Sequence, residues 1–134
     1  MRMDVSWVRA RFADARVARL ATASPDGRPH LVPIVFALLG DDRLCFAVDA
    51  KPKSGAPLRR LTNILGNPLV SVLVDHYDED WRQLWWARAD GSARVVAGAA
   101  PEALVGRYPQ YQVTPPPGPV VEITVNHWSG WSGG

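Results

Sequence analysis

Four cationic side chains lie close together in the middle of the chain and could bind an anion. Lys51 and Lys53 are the only lysines among 15 basic residues, and Arg59 and Arg60 follow soon after. Pro57 suits the first turn of a helix. The cations would then bracket a helix start, where free backbone N–H groups and the helix dipole attract phosphate. Runs of charge also cover ordinary solvated surfaces, and the pattern alone leaves both interpretations open.

Tryptophan is the second residue type that could form a binding site, because its flat indole could pack against the planar ring of a ligand. The chain has 6 tryptophans in 134 residues. Trp85 and Trp86 are adjacent, so on a strand they would point to opposite faces. One could pack in the core while the other faces a partner or a ligand. Packing in a core or a dimer interface is the ordinary explanation for such tryptophans and is also open here.

Other catalytic and metal-binding patterns are missing from the sequence. The histidines His30, His76 and His127 lack metal-ligand spacing relative to Cys45. The acidic run 75–80 lacks the glycine and the distant glutamate of a calcium loop. We find no P-loop or G-x-G-x-x-G motif and no convincing acid–base pair. The sequence therefore predicts no metal site and leaves the catalytic residues unknown.

Composition narrows the class of protein further. A net charge of +2 without a Lys/Arg block does not favour nucleic-acid binding. The longest uncharged apolar run, 31–40, is too short to span a bilayer, and the N-terminus lacks the apolar stretch of a signal peptide. We therefore expect a cytoplasmic protein without a membrane segment, folded as a single domain over 1–134.

Periodicity places these residues on short strands and a few helices. Pro33, inside a predicted strand, implies an edge or a bulge, and Asp90-Gly91 predicts a hairpin turn. Helices are predicted over 4–15, after Pro57 and over 101–108. Cys45 is predicted to be a small, buried core residue. The predicted fold class is mainly β with short helices, as an antiparallel barrel. The predicted strands are 16–22, 29–39, 44–48, 69–74, 83–89, 92–96 and 120–125.

Several of these stretches resemble the split-barrel superfamily of pyridoxamine 5′-phosphate oxidase. Residues 18–22 and 26–33 are similar to its opening hairpin. Residues 60–71 are similar to its K-x-x-N-L-x-x-N-P-x-V-S segment, with Arg60 where the family often has lysine. A fuller match is to an actinobacterial branch that uses coenzyme F420, carried by residues 49–53, 75–81, 84–91 and 128–131.

This resemblance implies a split β-barrel that forms a homodimer with two cofactor sites between its protomers. It implies an F420-dependent oxidoreductase that transfers hydride between the reduced deazaflavin and a small organic acceptor. An FMN-dependent oxidoreductase and a non-catalytic cofactor carrier remain alternatives. Residues carried over from the family by position suggest how the cofactor would bind. Cationic side chains would hold its phosphate, and its ring would lie along the second strand and against tryptophan side chains. The implied cofactor-binding residues are Lys51, Lys53, Arg60, Asn63, Pro33, Val35, Trp85 and Trp86.

Overall fold

An amphipathic helix opens the chain in the computed structural model, which describes residues 1–49 and 58–134. Helix α1 spans Val5–Asp14, and its N-cap Asp4 accepts a hydrogen bond from the Trp7 N–H at 2.9 Å. Val8 and Phe12 are fully buried. The helix predicted over 4–15 is therefore confirmed, with Val8 and Phe12 on its buried face. Lys51 and Lys53 lie outside the described residues.

The described strands form one antiparallel sheet in the order β2-β1-β5-β6-β7-β4-β3. The edge strands β2 and β3 are joined by only Val35 and Phe36. The sheet must therefore curl until its edges approach, which makes an open barrel and confirms the predicted fold class. The strands are β1 Ala18–Ala23, β2 Pro29–Ile34, β3 Ala37–Leu39, β4 Arg43–Ala47, β5 Leu69–His76, β6 Trp85–Val96 and β7 Val120–Ser132.

The stretch predicted as the second strand and the predicted hairpin both differ from the structure. The stretch 29–39 divides after Ile34 rather than at Pro33, which sits inside the edge strand β2, where a missing N–H is tolerated. The hairpin predicted at Asp90-Gly91 is wrong, because β6 runs straight through and bulges there against β7. A Cβ at Gly91 would collide with the carbonyl oxygen of Thr124. The glycine is therefore needed because the backbones of β6 and β7 approach each other closely here, and not because the chain turns.

The remaining helices are short and lie on the barrel surface. Helix α2 spans Arg59–Gly66, which confirms the helix predicted after Pro57. The single helix predicted over 101–108 is instead two, α3 Glu102–Val105 and α4 Pro109–Val113. Pro109 suits the first turn of a new helix and cannot continue the previous one. None of the described helices is long and apolar enough to cross a bilayer.

Two apolar clusters hold the barrel together. On β4, Leu44 and Phe46 point into the main core, while Cys45 and Ala47 point outward into a smaller cluster under α3 and α4. Cys45 is fully buried, as predicted. The C-terminal stretch, predicted as a tail after residue 125, continues β7 to Ser132 because it pairs with the first half of β6.

Candidate functional site

A cleft of about 250 Å³ opens where β2 passes towards β3, beside the start of α2. We call it the barrel-edge cleft. Its volume lies just below the range of about 300–1,000 Å³ usual for small-molecule sites. One chain therefore offers room for a ring-sized group rather than for a whole cofactor. The walls are Val17, Pro33, Ile34, Val35, Phe46 and Ala47, and the polar groups are Asp49, Arg60 and Tyr111.

Three residues predicted from the sequence meet in this cleft: Pro33, Val35 and Arg60. Pro33 and Val35 lie two positions apart, at the end of β2 and just after it, and Arg60 enters from the first turn of α2. The Nε of Arg60 is buried and has no hydrogen-bond partner within residues 1–49 and 58–134. A buried guanidinium N–H without an acceptor costs free energy, and an anionic ligand would remove that cost.

The start of α2 adds further hydrogen-bond donors. The N-cap residue Leu58 provides no side-chain cap. The first N–H groups of a helix have no partner within the helix and carry its positive dipole end. With Arg60 beside them, these groups can bind a phosphate or a carboxylate.

A hydroxyl–carboxylate pair forms the opposite polar corner of the cleft. The Tyr111 hydroxyl donates a hydrogen bond to Asp49. Burial, together with this bond and the Asp49 charge, raises the pKa of Tyr111 above its ordinary value. The phenol therefore stays protonated at neutral pH, with its single proton donated to Asp49 and its oxygen lone pairs available as an acceptor. Sequence analysis missed this pair because its members are 62 positions apart.

Two residues from the segment between α3 and α4 hold the floor of the cleft in place. The Tyr108 hydroxyl accepts a hydrogen bond from the Phe36 N–H at 3.1 Å and lies 3.0 Å from the Arg16 carbonyl oxygen. Arg107 donates to the carbonyl oxygens of Phe36 at 2.6 Å and Ala13 at 2.8 Å. These bonds tie the β2–β3 passage to the segment after α1. No local sequence motif predicts these hydrogen bonds.

The resemblance implies that Asn63 lies near the cofactor phosphate, and the structure places its side chain between α2 and β1. Its side chain is 2% exposed, and its Nδ2 donates to the Thr22 hydroxyl at 3.0 Å. Asn63 therefore fastens α2 to β1. It does not line the barrel-edge cleft. It lines a second cleft of about 220 Å³, which we call the α2 cleft, together with Ser24, Arg28, Pro29, His30 and Arg59.

Trp85 and Trp86 point to opposite faces of the sheet, as the alternation of a strand requires. Trp85 packs edge-on against Trp7 of α1 at 6.0 Å between ring centroids. Trp86 is on the outer face, opposite Trp131 of β7 and with the Arg88 guanidinium 5.6 Å from its ring centroid. Neither residue lines the barrel-edge cleft of its own chain.

An antiparallel barrel whose edge strands are consecutive in the chain, with a cleft at their junction, defines a split β-barrel protein. Residues 7–132 match the family model described as pyridoxamine 5′-phosphate oxidase. The chain belongs to this family, and the family-level resemblance seen in the sequence is confirmed.

Solved structures with the same fold include flavin-binding and heme-binding proteins. An FAD-binding protein from Mesorhizobium loti superposes with a TM-score of 0.73 at 22% identity, over 97% of this chain and 93% of that one. An FAD-binding protein from Mycobacterium smegmatis gives 0.66 at 20% identity, over 98% and 97%. A heme-binding protein from Mycobacterium smegmatis gives 0.68 at 17% identity, over 96% and 57%. A search of curated proteins finds no match to this chain.

Proposed function

We propose that this protein is an F420-dependent oxidoreductase that transfers hydride between the reduced deazaflavin and a small organic acceptor. The observation that carries the proposal is the barrel-edge cleft. It joins the apolar Pro33 and Val35 to Arg60, whose buried Nε lacks an acceptor among the described residues. An apolar slot next to a cationic helix start suits a planar ring that carries a phosphate. The proteins of this fold that are named FAD-binding support a ring cofactor of this kind.

The chain's own residues would bind and orient the cofactor. Val35 and Phe46 would flank the ring, and the Tyr111 hydroxyl, whose proton is donated to Asp49, would accept a hydrogen bond from a polar edge of it. Arg60 and the N–H groups of α2 would hold the phosphate. Lys51 and Lys53, which precede this helix in the sequence, would add charge to the same site.

The deazaflavin supplies the hydride when it is bound. The contribution of the protein is then to position the ring against the acceptor and to exclude water. The only ionisable pair in the cleft is Asp49 with Tyr111, as far as the described residues go. Because the Tyr111 pKa is raised, the phenol is a poor general acid, and its proton stays in the bond to Asp49.

We further propose that the site is completed in a homodimer of single-domain, cytoplasmic chains. The barrel-edge cleft holds only part of a cofactor. Large apolar side chains meanwhile lie exposed on the strands: Leu31 is 68% and Leu69 65% exposed. A second copy would cover apolar surface of this kind, and its Trp86 would close the ring site. Light scattering should then give about twice the chain mass of 14.7 kDa.

Parallel titration with coenzyme F420, FMN and heme tests the proposal. We expect quenching of deazaflavin fluorescence at micromolar F420, with FMN binding roughly tenfold weaker, or about 1.4 kcal/mol. Arg60→Gln should weaken F420 binding by roughly tenfold or more, because it removes a charge-assisted contact. Arg94→Gln is the matched control, since Arg94 is an exposed arginine on β6 that pairs with Glu122 outside the cleft.

Three results would change the assignment. Preferential FMN binding, or a yellow protein as purified, would establish the FMN-dependent alternative. F420 binding without turnover of any artificial acceptor would establish a carrier. A heme Soret band with no affinity for either flavin would overturn the proposal.

A further inference from the structure

Aromatic side chains line a small cleft at the end of the sheet where β5 passes to β6. We call it the aromatic cleft, and its volume is about 170 Å³. Trp86 and Trp131 lie opposite each other on β6 and β7, and Tyr77 comes directly after β5. Trp85 and Asp75 also line the cleft. None of these five residues lines the barrel-edge cleft, so the two clefts are separate places on the chain.

The rings of the aromatic cleft are partly open to solvent and partly fixed in place. Tyr77 is 62% and Trp131 is 37% exposed. The Trp85 ring is held by His76, which stacks on it at 6.2 Å between centroids, and by Trp7, which meets it edge-on at 6.0 Å. A ligand would therefore find accessible ring faces beside a ring that is already positioned, which lowers the entropy cost of binding.

The charge around the aromatic cleft is negative, although the chain as a whole has a net charge of +2. Residues 75–82 hold four acidic residues and one arginine. That arginine, Arg82, is already paired with Asp80 at 2.9 Å. Asp75 has no ion-pair partner among the residues that the structure describes. Its carboxylate therefore gives the cleft an uncompensated negative charge, which favours a cationic ligand.

Guanidinium groups already lie against the two adjacent tryptophans of β6. Arg88 is 5.6 Å from one ring centroid and Arg11 is 5.9 Å from the other, and neither arginine lines the cleft. Tyr77 and Trp131 have no arginine over their rings within the described part of the chain. These two rings are therefore the ones that a cation from solution can reach.

We propose that the aromatic cleft binds a small organic cation that carries a quaternary or alkylated ammonium group. The faces of Tyr77 and Trp131 attract a weakly hydrated cation, and the Asp75 carboxylate adds a Coulomb attraction. A metal ion needs several oxygen or nitrogen ligands. The described residues contain no group of three or more histidine, cysteine, aspartate or glutamate side chains that could hold one. This site goes beyond the redox function proposed above and does not depend on it.

The test compares choline with its carbon analogue, the neutral alcohol in which a carbon atom replaces the nitrogen. The two probes have nearly the same shape, and only choline is charged. Each is titrated into the full chain at constant ionic strength, with tryptophan fluorescence as the signal. We expect choline to bind at least about tenfold more tightly than the alcohol. No F420 is present, so the result is independent of the proposed redox function.

Exposed side chains supply the variants and the control. Asp75→Asn should weaken choline binding by roughly threefold or more and leave the alcohol unchanged. Tyr77→Leu should also weaken choline binding by roughly threefold or more, whereas Tyr77→Phe should retain it because the ring is kept. Glu79→Gln is the matched control, since Glu79 is an exposed carboxylate of the same acidic segment that does not line the cleft. Substitutions at such exposed positions should leave the fold intact.

Each other outcome overturns the inference in a distinguishable way. Equal affinity for choline and the alcohol would mean that the cleft is only an apolar patch. Equal losses in Asp75→Asn and Glu79→Gln would mean that choline senses the general charge of the segment and not a site. If neither probe binds, the cation site is refuted. A fall from twice the chain mass to 14.7 kDa in Tyr77→Leu would then assign these rings to a contact between two copies.

Discussion

Replacing Asn63 by alanine should lower the free energy of unfolding without touching the ring site directly. Asn63 is 2% exposed, and the Thr22 hydroxyl that it bonds is in a side chain only 4% exposed. The change leaves that hydroxyl buried without its partner, at a cost of about 1–3 kcal/mol. The lost carboxamide also leaves a small void, so we expect a total of about 2–4 kcal/mol.

A double-mutant cycle separates the hydrogen bond from the void. Thr22→Val, Asn63→Ala and their combination would be compared by urea denaturation, with tryptophan fluorescence as the signal. We expect a coupling energy of about 1 kcal/mol, because either single change already breaks the same bond. Asn67→Ala is the matched control. Its side chain only accepts a 3.3 Å bond from the Leu69 N–H at the partly exposed end of the helix.

The reasoning would be refuted if Asn63→Ala changed the free energy of unfolding by less than about 0.5 kcal/mol, within the range of ordinary surface substitutions. Strict additivity with Thr22→Val would also refute it. An Asn63→Ala variant with unchanged stability but lost cofactor affinity would instead return Asn63 to the direct phosphate contact that the sequence suggested.

Three further predictions concern the barrel itself. Gly91→Ala should cost several kcal/mol in thermal unfolding, because its Cβ would collide with the Thr124 carbonyl oxygen and backbone would have to move. Tyr108→Phe should cost about 1–3 kcal/mol in urea denaturation, since the buried Phe36 N–H loses its acceptor. Burial raises the pKa of Cys45 from its ordinary 9.0 to about 11. The unfolded chain therefore loses this proton first, and stability should fall as pH rises from 9 through 11, by about 2–3 kcal/mol. Cys45→Ala should reduce that slope, and an unchanged slope would show that the thiol does not titrate with unfolding.

Local sequence patterns predicted the elements that depend on local preference. The alternation of apolar and polar residues predicted most strand positions, Asp4 predicted the start of α1, and Pro33 predicted an edge strand. These signals act within a few residues, because capping, φ restriction and two-residue alternation are properties of the neighbouring backbone. The resemblance added Arg60 and the β2 passage as site residues, and the structure brings them into one cleft.

Tertiary structure determined the pairings and contacts that depend on the closure of the barrel. Asp90-Gly91 has the residues of a hairpin turn, yet β7 lies against it and its glycine accommodates that strand. The bond between Tyr111 and Asp49 joins positions 62 apart, and Arg59 separates from Arg60 only because the helix turns them towards different clefts. The residues between such partners form no local pattern that predicts the pairing. It arises because the two edges of the curled sheet must meet, and this is a property of the whole chain.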